Sequence, residues 1–233
     1  VTFNVGTDSA SVVSGTASNA WSFSNNYVDL GDDILYDGND LAIMANFKTV
    51  ADSGDQMIVA NWHSGTSGFQ LYVDSNNQIH WWHPTGGSKT GSTTLNDNQW
   101  YNAIVNRVNN VITLYIDGVS VHSSSHSSTV NGNNMQIGGS NNAGTFDGAI
   151  DDVAIWSDGL SASEISALQT DPTPPTTSLL SHYTFEETTS LPDQAGNNDG
   201  TLNGQTTGVT HIPANTIISA TGLDDNTSSP QHY

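Results

Sequence analysis

The sequence contains no cysteine, and it has only three Lys and Arg residues against 23 Asp and Glu, which gives a formal net charge of −20. Without cysteine the chain forms no disulfides and holds no metal through thiolates. Three cations cannot neutralise a row of phosphates, so nucleic-acid binding is excluded, and an anionic membrane surface repels such a chain. Because no apolar stretch reaches the roughly 18 residues of a membrane span, we also expect no membrane insertion.

Helix-forming charged residues are scarce as well. Charged residues make up 11% of the chain, and Glu occurs only at Glu164, Glu186 and Glu187. The polar surface is therefore mostly Ser, Thr, Asn and Gly, a mixture that disfavours helices and favours turns between strands. One helix is predicted over residues 161–169, because Ser161 and Glu164 have the spacing of a capping box.

Short runs with alternating apolar residues recur along the chain, separated by turns rich in Gly, Asn, Asp and Ser. This pattern predicts an all-β fold, a two-sheet antiparallel jelly-roll sandwich with one short helix. The predicted strands are residues 26–30, 41–50, 57–62, 69–73, 78–83, 100–108, 111–116, 119–122, 134–137, 149–156 and 179–185.

The same alternation leaves aromatic, amide and imidazole side chains on the face opposite the core. In residues 78–83, Ile79 and Trp81 share one face, and His80 and Trp82 share the other. An exposed Trp covers the apolar face of a sugar ring, while amides and imidazoles bind its hydroxyls. We therefore predict one carbohydrate-binding surface, flanked by loops over residues 62–68 and 83–91, that contains Trp82, His80, Tyr72, Gln70, Trp62, His63 and Asn102, with Asn106 beside them.

Residues 193–200 form a short segment rich in Asp, Asn and Gly. Calcium binds six to eight hard oxygen ligands from such residues, so the segment predicts a calcium site, and a plain surface turn is the alternative. An imidazole-bound transition metal is disfavoured, because His122 and His126 flank Ser123–Ser125 in a predicted loop rather than on one helix face.

The sequence contains no E-x-D-x-E or E-x-D-x-x-E pattern, in which two Glu on one strand would serve as acid and nucleophile for glycosidic bond cleavage. Glu186 and Glu187 are adjacent and so lie on opposite faces of a strand, and Glu164 belongs to the helix cap. Serine-hydrolase, zinc-protease and phosphate-loop motifs are also absent. We predict a non-catalytic protein, with a polysaccharide lyase or glycoside hydrolase domain and a structural spacer as alternatives.

Four segments stand in order between residues 19 and 170: 21–31 (WSFSNNYVDLG), 100–103 (WYNA), 113–118 (TLYIDG), and 146–156 (FDGAIDDVAIW) followed by 160–165 (LSASEI). Together they resemble the motifs of laminin-G-like, concanavalin-A-like jelly-roll domains of bacterial proteins. The resemblance implies that Trp21, Trp100 and Trp156 belong to the core. It also implies a structural calcium held by Asp151 or Asp152 and by Asp193, with Asn198 beside them.

One motif stands at an unexpected place in the chain. The strand and loop pattern that often opens such domains lies near the end here, at residues 181–187 and 193–204. This position indicates a circularly permuted fold, a C-terminal segment that completes the same sheet, or a truncated second domain. We favour one domain over residues 1–220, with its core at 19–170, a closing segment at about 179–205 and a tail at 221–233.

These observations predict a non-catalytic, calcium-stabilised module that binds a neutral carbohydrate. By analogy of composition, its parent is a large multidomain bacterial adhesin or exoprotein that acts outside the cell or at the cell surface.

Overall fold

The computed structural model describes residues 19–24, 26–32, 34, 40–50, 54–61, 68–130, 134–139, 145–187, 190–204 and 211–213. In these ranges the chain forms two antiparallel sheets and one short helix, so the predicted all-β jelly-roll sandwich is confirmed. No helix here has the length and apolar character that crossing a membrane requires. The elements are β1 Asn19–Phe23, β2 Asn26–Gly31, β3 Leu41–Thr49, β4 Gln56–Asn61, β5 Phe69–Val73, β6 Gln78–His83, β7 Gly87–Thr94, β8 Trp100–Val108, β9 Val111–Ile116, β10 Val119–Ser125, β11 Met135–Ile137, β12 Gly148–Trp156, α1 Ala162–Ala167, β13 Leu179–Tyr183, β14 Thr201–Gly204 and β15 His211–Pro213.

The two sheets have different strand orders. The eight-stranded sheet runs β10-β9-β8-β3-β12-β1-β15, and the seven-stranded sheet runs β14-β2-β11-β4-β5-β6-β7. β13 completes the larger sheet by pairing with the last residues of β12, whose first residues pair with β1. Because β13 pairs with β12, β15 with β1 and β14 with β2, the chain from residue 179 onward adds two strands to the eight-stranded sheet and one to the seven-stranded sheet. The predicted tail over residues 221–233 lies outside the described residues.

The apolar faces of the two sheets form one continuous core. Phe69 stacks on Trp81 with ring centroids 4.6 Å apart, and Trp21 meets Phe185 edge to face at 5.6 Å. Aromatic pairs of this kind contribute about 0.5–1.5 kcal/mol beyond their buried area. The assignment of Trp100 to the core is wrong, because its ring is half-buried at the start of β8 with the Lys48 Nζ 5.5 Å from its centroid.

Helix α1 covers a second apolar cluster on the outer face of the eight-stranded sheet. The predicted capping box is present: Glu164 donates its backbone N–H to the Ser161 hydroxyl, and Ser161 donates its backbone N–H to the Glu164 carboxylate at 2.8 Å. The Ser161 hydroxyl also donates to the Glu164 carboxylate at 2.7 Å, and this bond, together with the one from the Ser161 N–H, lowers the pKa of Glu164. These bonds also fix the helix so that Ile165 and Leu168 pack on Met44 and Trp156.

Two predicted loops are strands in the structure. Of the loop predicted over residues 83–91, only residues 84–86 form a turn, and β7 follows as an edge strand. β7 lacks apolar alternation, and its Gly91 packs so closely that a Cβ there would lie 2.6 Å from Cγ2 of Ile79. β10 likewise continues through the predicted Ser-rich loop to Ser125, where the Ser123 hydroxyl lies 3.1 Å from that of Thr113 on β9.

Candidate functional site

Strands β5, β6 and β7 place polar and aromatic side chains on the outer face of the seven-stranded sheet. The odd-numbered residues of β5 and β6 lie in the core, so the even-numbered ones point away from it. Cross-strand register then forms two rows, one from Gln70 through Trp82 to Ser88 and one from Tyr72 through His80 to Thr90. We call these residues the polar–aromatic face: Gln70, Tyr72, His80, Trp82, Ser88 and Thr90.

The members of this face differ in exposure. Trp82 is half-buried and Ser88 is exposed, whereas Gln70, Tyr72 and His80 are only 8, 9 and 8% exposed. The alternation therefore gave the direction of the four predicted side chains of β5 and β6 but not how exposed each one is. One reason is that the rings of Tyr72 and His80 stack on each other, 5.0 Å apart and 20° from parallel. A ligand would meet the face first at Trp82 and Ser88.

His80 connects this face to a carboxylate in the turn between β5 and β6. Nδ1 of His80 lies 3.0 Å from the Ser88 hydroxyl and 3.1 Å from the Thr90 hydroxyl. On the other side of the ring, Nε2 lies 3.1 Å from Oδ2 of Asp74. Asp74 is itself held by the backbone N–H groups of Asn76 and Gln78, which donate to Oδ1 at 3.0 and 2.8 Å.

These contacts determine which groups on the face carry protons. Partial burial raises the pKa of Asp74, but hydrogen bonds from Gln78 and Asn76 outweigh it and lower the pKa overall, so Asp74 is a carboxylate at neutral pH. Burial raises the pKa of Tyr72 above its usual value, although a hydrogen bond with Ser88 acts in the opposite direction. Tyr72 is therefore a protonated phenol that can donate a hydrogen bond.

The row that contains Gln70, Trp82 and Ser88 continues across the whole seven-stranded sheet. Gln70 pairs with Ala60, which pairs with Gln136, and Gln136 pairs with Asp29, which pairs with Thr201 on the far edge strand. Ala60 and Gln136 are buried, whereas Thr201 is exposed. The accessible parts of the row are therefore its two ends, and the Trp82 end is the aromatic one.

Asn102 does not belong to this face, which corrects the predicted surface. It lies on β8 in the eight-stranded sheet, where it donates to the side-chain oxygen of Asn46 at 2.8 Å and accepts from Gln169 at 3.1 Å. Asn106, on the same strand, bonds both backbone groups of Leu160 and so anchors the segment before α1. Alternation identified their outward direction but not their sheet. Trp62 and His63 lie outside the described residues.

Asp151 and Asp152 occupy a β-bulge in β12. Ile150 and Val153 both point into the core, which strict alternation forbids, and the extra residue is accommodated by a positive φ of 47° at Asp152. Both carboxylates are buried on the outer face of the eight-stranded sheet. Asn46 donates to Asp152 at 3.2 Å, and Nε2 of His182 lies 3.8 Å from the same carboxylate.

Asp193 organises its own loop through backbone hydrogen bonds. Its Oδ1 accepts the N–H groups of His182 and Ala195 at 2.9 and 3.0 Å, and its Oδ2 accepts that of Asn198 at 3.3 Å. Although burial raises the pKa of Asp193, these donors lower it overall. Asn198 in turn donates its side-chain amide to Ser181 at 3.3 Å, and its carbonyl accepts the Tyr183 hydroxyl at 2.7 Å.

The four predicted calcium ligands are therefore not gathered into one cluster. No group of three or more His, Cys, Asp or Glu side chains within the described ranges has metal-binding geometry. The oxygens of Asp193 already accept backbone N–H groups, and Asp152 faces Asn46 and His182. The residues present do not form a preassembled calcium site, and calcium binding stays a prediction.

Sequence reasoning missed three residues that complete the polar–aromatic face. The sequence pattern places Asp74 in a turn, and Ser88 and Thr90 in a loop, and so gives none of them a role at the face. The alternating hydroxyl residues at positions 88, 90 and 92 were the available signal, since alternation of polar residues also marks an exposed strand.

The described sheets, core and helix define a class of protein, the jelly-roll β-sandwich. The chain belongs to the concanavalin A-like lectin/glucanases superfamily, whose family model matches residues 22–166. This confirms the resemblance stated from the sequence motifs. A comparison with curated protein sequences finds no match.

Solved structures with a similar fold include several carbohydrate-related proteins. A Bacteroides ovatus protein with a proposed carbohydrate-binding role has a TM-score of 0.67 and 16% identity over 84% of this chain, which spans 60% of that protein. Domain 4 of an extracellular arabinanase from Geobacillus stearothermophilus, in complex with arabinotriose, has a TM-score of 0.57 and 18% identity over 66% of this chain and 82% of that one. A Ruminococcus gnavus sialidase module bound to α2,3-sialyllactose has a TM-score of 0.53 and 14% identity over 64% of this chain and 96% of that one. At these identities the likeness shows the fold alone.

Proposed function

We propose that this chain is a non-catalytic carbohydrate-binding module and that its polar–aromatic face binds the sugar. The observation that carries the proposal is the half-buried Trp82 ring, which stands between the Gln70 amide and the Ser88 hydroxyl. Such a ring covers the C–H face of a sugar, while the amide and hydroxyl groups satisfy the sugar hydroxyls. Two of the similar folds were solved with oligosaccharides bound, which supports the same chemical class of ligand here.

The charge distribution favours a neutral sugar. The polar–aromatic face contains no Lys or Arg, and the Asp74 carboxylate lies 3.1 Å from Nε2 of His80 on that face. The chain as a whole has a formal net charge of −20. An anionic polysaccharide would be repelled on approach and would find no cation to pair with at the face.

The wider setting is also part of the proposal. We place the module in a larger secreted bacterial protein, an adhesin or exoprotein, acting outside the cell or at its surface. The lack of cysteine and the Ser-, Thr- and Asn-rich composition support this setting. Calcium is proposed as a stabiliser of the Asp193 loop or the Asp151–Asp152 bulge, and sugar binding at the polar–aromatic face does not depend on it.

A glycan array read with and without calcium tests the function. We expect retention of neutral glycans, with no products from a parallel polysaccharide digestion panel. Turnover in that panel would indicate a lyase or hydrolase, and no retention on the array would indicate a structural spacer.

Paired tryptophan variants test the location of the site. Trp82→Ala should weaken binding of the retained glycan by about 1–3 kcal/mol, the range measured when a base loses an aromatic stacking partner. Trp100→Ala is the matched control, since Trp100 is also half-buried but lies on the other sheet. Equal losses in the two variants would contradict the assignment to the polar–aromatic face.

A further inference from the structure

Four polar groups beside Trp82, namely Ser88, Thr90, His80 and Asp74, form one continuous series of contacts. The Ser88 hydroxyl lies 3.0 Å from Nδ1 of His80. The Thr90 hydroxyl lies 3.1 Å from the same nitrogen, and Nε2 on the far side of the ring lies 3.1 Å from the Asp74 carboxylate. The imidazole therefore lies between two hydroxyl groups on one side and one negative charge on the other.

The negative charge decides where a neutral His80 keeps its proton. Asp74 accepts the two backbone N–H groups and the side-chain amide of Asn76, the last at 3.0 Å, so its position is fixed. Nε2 of His80 is buried and makes no aligned hydrogen bond among the described residues, so the Asp74 carboxylate acts on the ring through its electrostatic field. A carboxylate at this distance stabilises a proton on Nε2, which leaves Nδ1 as an acceptor.

An accepting Nδ1 orients the two hydroxyls. A hydroxyl has one hydrogen and two lone pairs, so a Ser88 or Thr90 hydroxyl that donates to Nδ1 presents only lone pairs elsewhere. Since Ser88 is exposed, these lone pairs are what a ligand meets beside Trp82.

We propose that Asp74, acting through His80, makes the Ser88 or Thr90 hydroxyl that donates to Nδ1 a hydrogen-bond acceptor toward the ligand, so that the face selects sugars whose hydroxyls are free to donate. This inference rests on the proposed carbohydrate-binding function. Asp74 is a positioning residue in it, because its effect on the Ser88 and Thr90 hydroxyls is transmitted by His80. The selected class is a neutral glycan with unsubstituted hydroxyls, as opposed to one whose hydroxyls are blocked as ethers or esters.

The tautomer of His80 tests the first half of the inference without any ligand. Nitrogen-15 NMR of the full chain at pH 8, with His80 assigned through a His80→Gln variant, should show the proton on Nε2. Asp74→Asn should move the proton toward Nδ1 while keeping the turn, since the amide oxygen still accepts the N–H groups of Asn76 and Gln78. Asp55→Asn is the control, because Asp55 is a neighbouring acid that acts on Tyr72. A wild-type proton on Nδ1 would overturn the inference.

Methylated polysaccharides test the second half. Native affinity gels containing arabinan, galactan, xylan, β-glucan or mannan are run beside gels containing the O-methylated forms, because a methyl ether accepts hydrogen bonds but cannot donate them. The wild type should be retarded by at least one parent polymer and about tenfold less by its methylated form, and Ser88→Ala should weaken retardation by the parent several-fold. Equal retardation by parent and methylated polymers would overturn the inference. Retardation by none of these polymers would count against the proposed function. The tautomer of His80 would still support or overturn the effect of Asp74 on the Ser88 and Thr90 hydroxyls.

Discussion

Acid should destabilise this protein through a histidine buried between its sheets. His126 is 2% exposed, and neither of its ring nitrogens has a hydrogen-bond partner among the described residues. Its ring meets that of the fully buried His83 edge to face at 4.9 Å, and Arg107 is also fully buried nearby. Burial, followed by the neighbouring His83 and Arg107 and more weakly by Lys89, lowers the pKa of His126 to about 4.

The direction and size of the effect follow from proton linkage. The unfolded chain protonates this imidazole below its usual pKa of 6.5, whereas the folded chain does so only below about 4. The stabilisation is therefore complete above pH 6.5 and is lost as the pH falls from 6.5 to 4. The loss is about 2.5 kcal/mol at pH 4.5, a large fraction of the 5–15 kcal/mol that a folded domain typically has. Burial also lowers the pKa of His83, which adds to the loss with the same sign.

Urea unfolding of the wild type and of His126→Phe, at pH 7.5 and pH 4.5, measures this contribution. The ring of Phe keeps the shape but cannot be protonated, so the variant should lose about 2.5 kcal/mol less than the wild type between the two pH values. The same substitution at His122 controls for the chemical change itself. Parallel losses in the wild type and in His126→Phe would refute the reasoning. NMR titration of His126 in the wild type is a second test, and a midpoint above 6 would refute it as well.

Three further predictions concern stability. Calcium should raise the melting temperature and EDTA should lower it, and the calcium effect should be smaller in Asp152→Ala and Asp193→Ala. An unchanged melting curve in EDTA, with no bound metal by mass spectrometry, would contradict the prediction of a calcium site. Ser161→Ala should cost about 1 kcal/mol in urea unfolding by breaking the capping box, whereas a cost below a few tenths would mean that α1 needs no cap. Gly138→Ala should be severely destabilising, because Gly138 has a φ of 78° and an added Cβ would collide with the ring of Phe23; a normal melting temperature for this variant would contradict that packing.

The alternation of apolar residues was a sufficient guide where a strand has one buried face. β5, β6, β8 and β9 have the predicted bounds, and Trp81 lies in the core while Trp82 lies on the opposite face, as alternation predicts. β7 was not predicted, because its glycines, serines and threonines show no alternation of apolar residues. It is also an edge strand, and its pairing with β6 is a long-range property of the fold.

The candidate site was only partly predictable for a related reason. Alternation states which way a side chain points along its own strand, but not which sheet the strand joins. Asn102 and Tyr72 both point outward, yet they lie on different sheets. The bulge at Asp152 and the contact between Asp74 and His80 also depend on pairing between strands, so no local sequence pattern predicts them.

The most direct test of carbohydrate binding at the polar–aromatic face is an NMR titration of the tryptophan indole N–H signals. The chain has six tryptophans, and those at positions 21, 81 and 156 are buried in the two apolar clusters. Titration with a neutral oligosaccharide retained on the glycan array should shift the Trp82 signal and leave the Trp100 signal unchanged. A shift of Trp100 without Trp82, or binding that moves neither signal, would contradict the account.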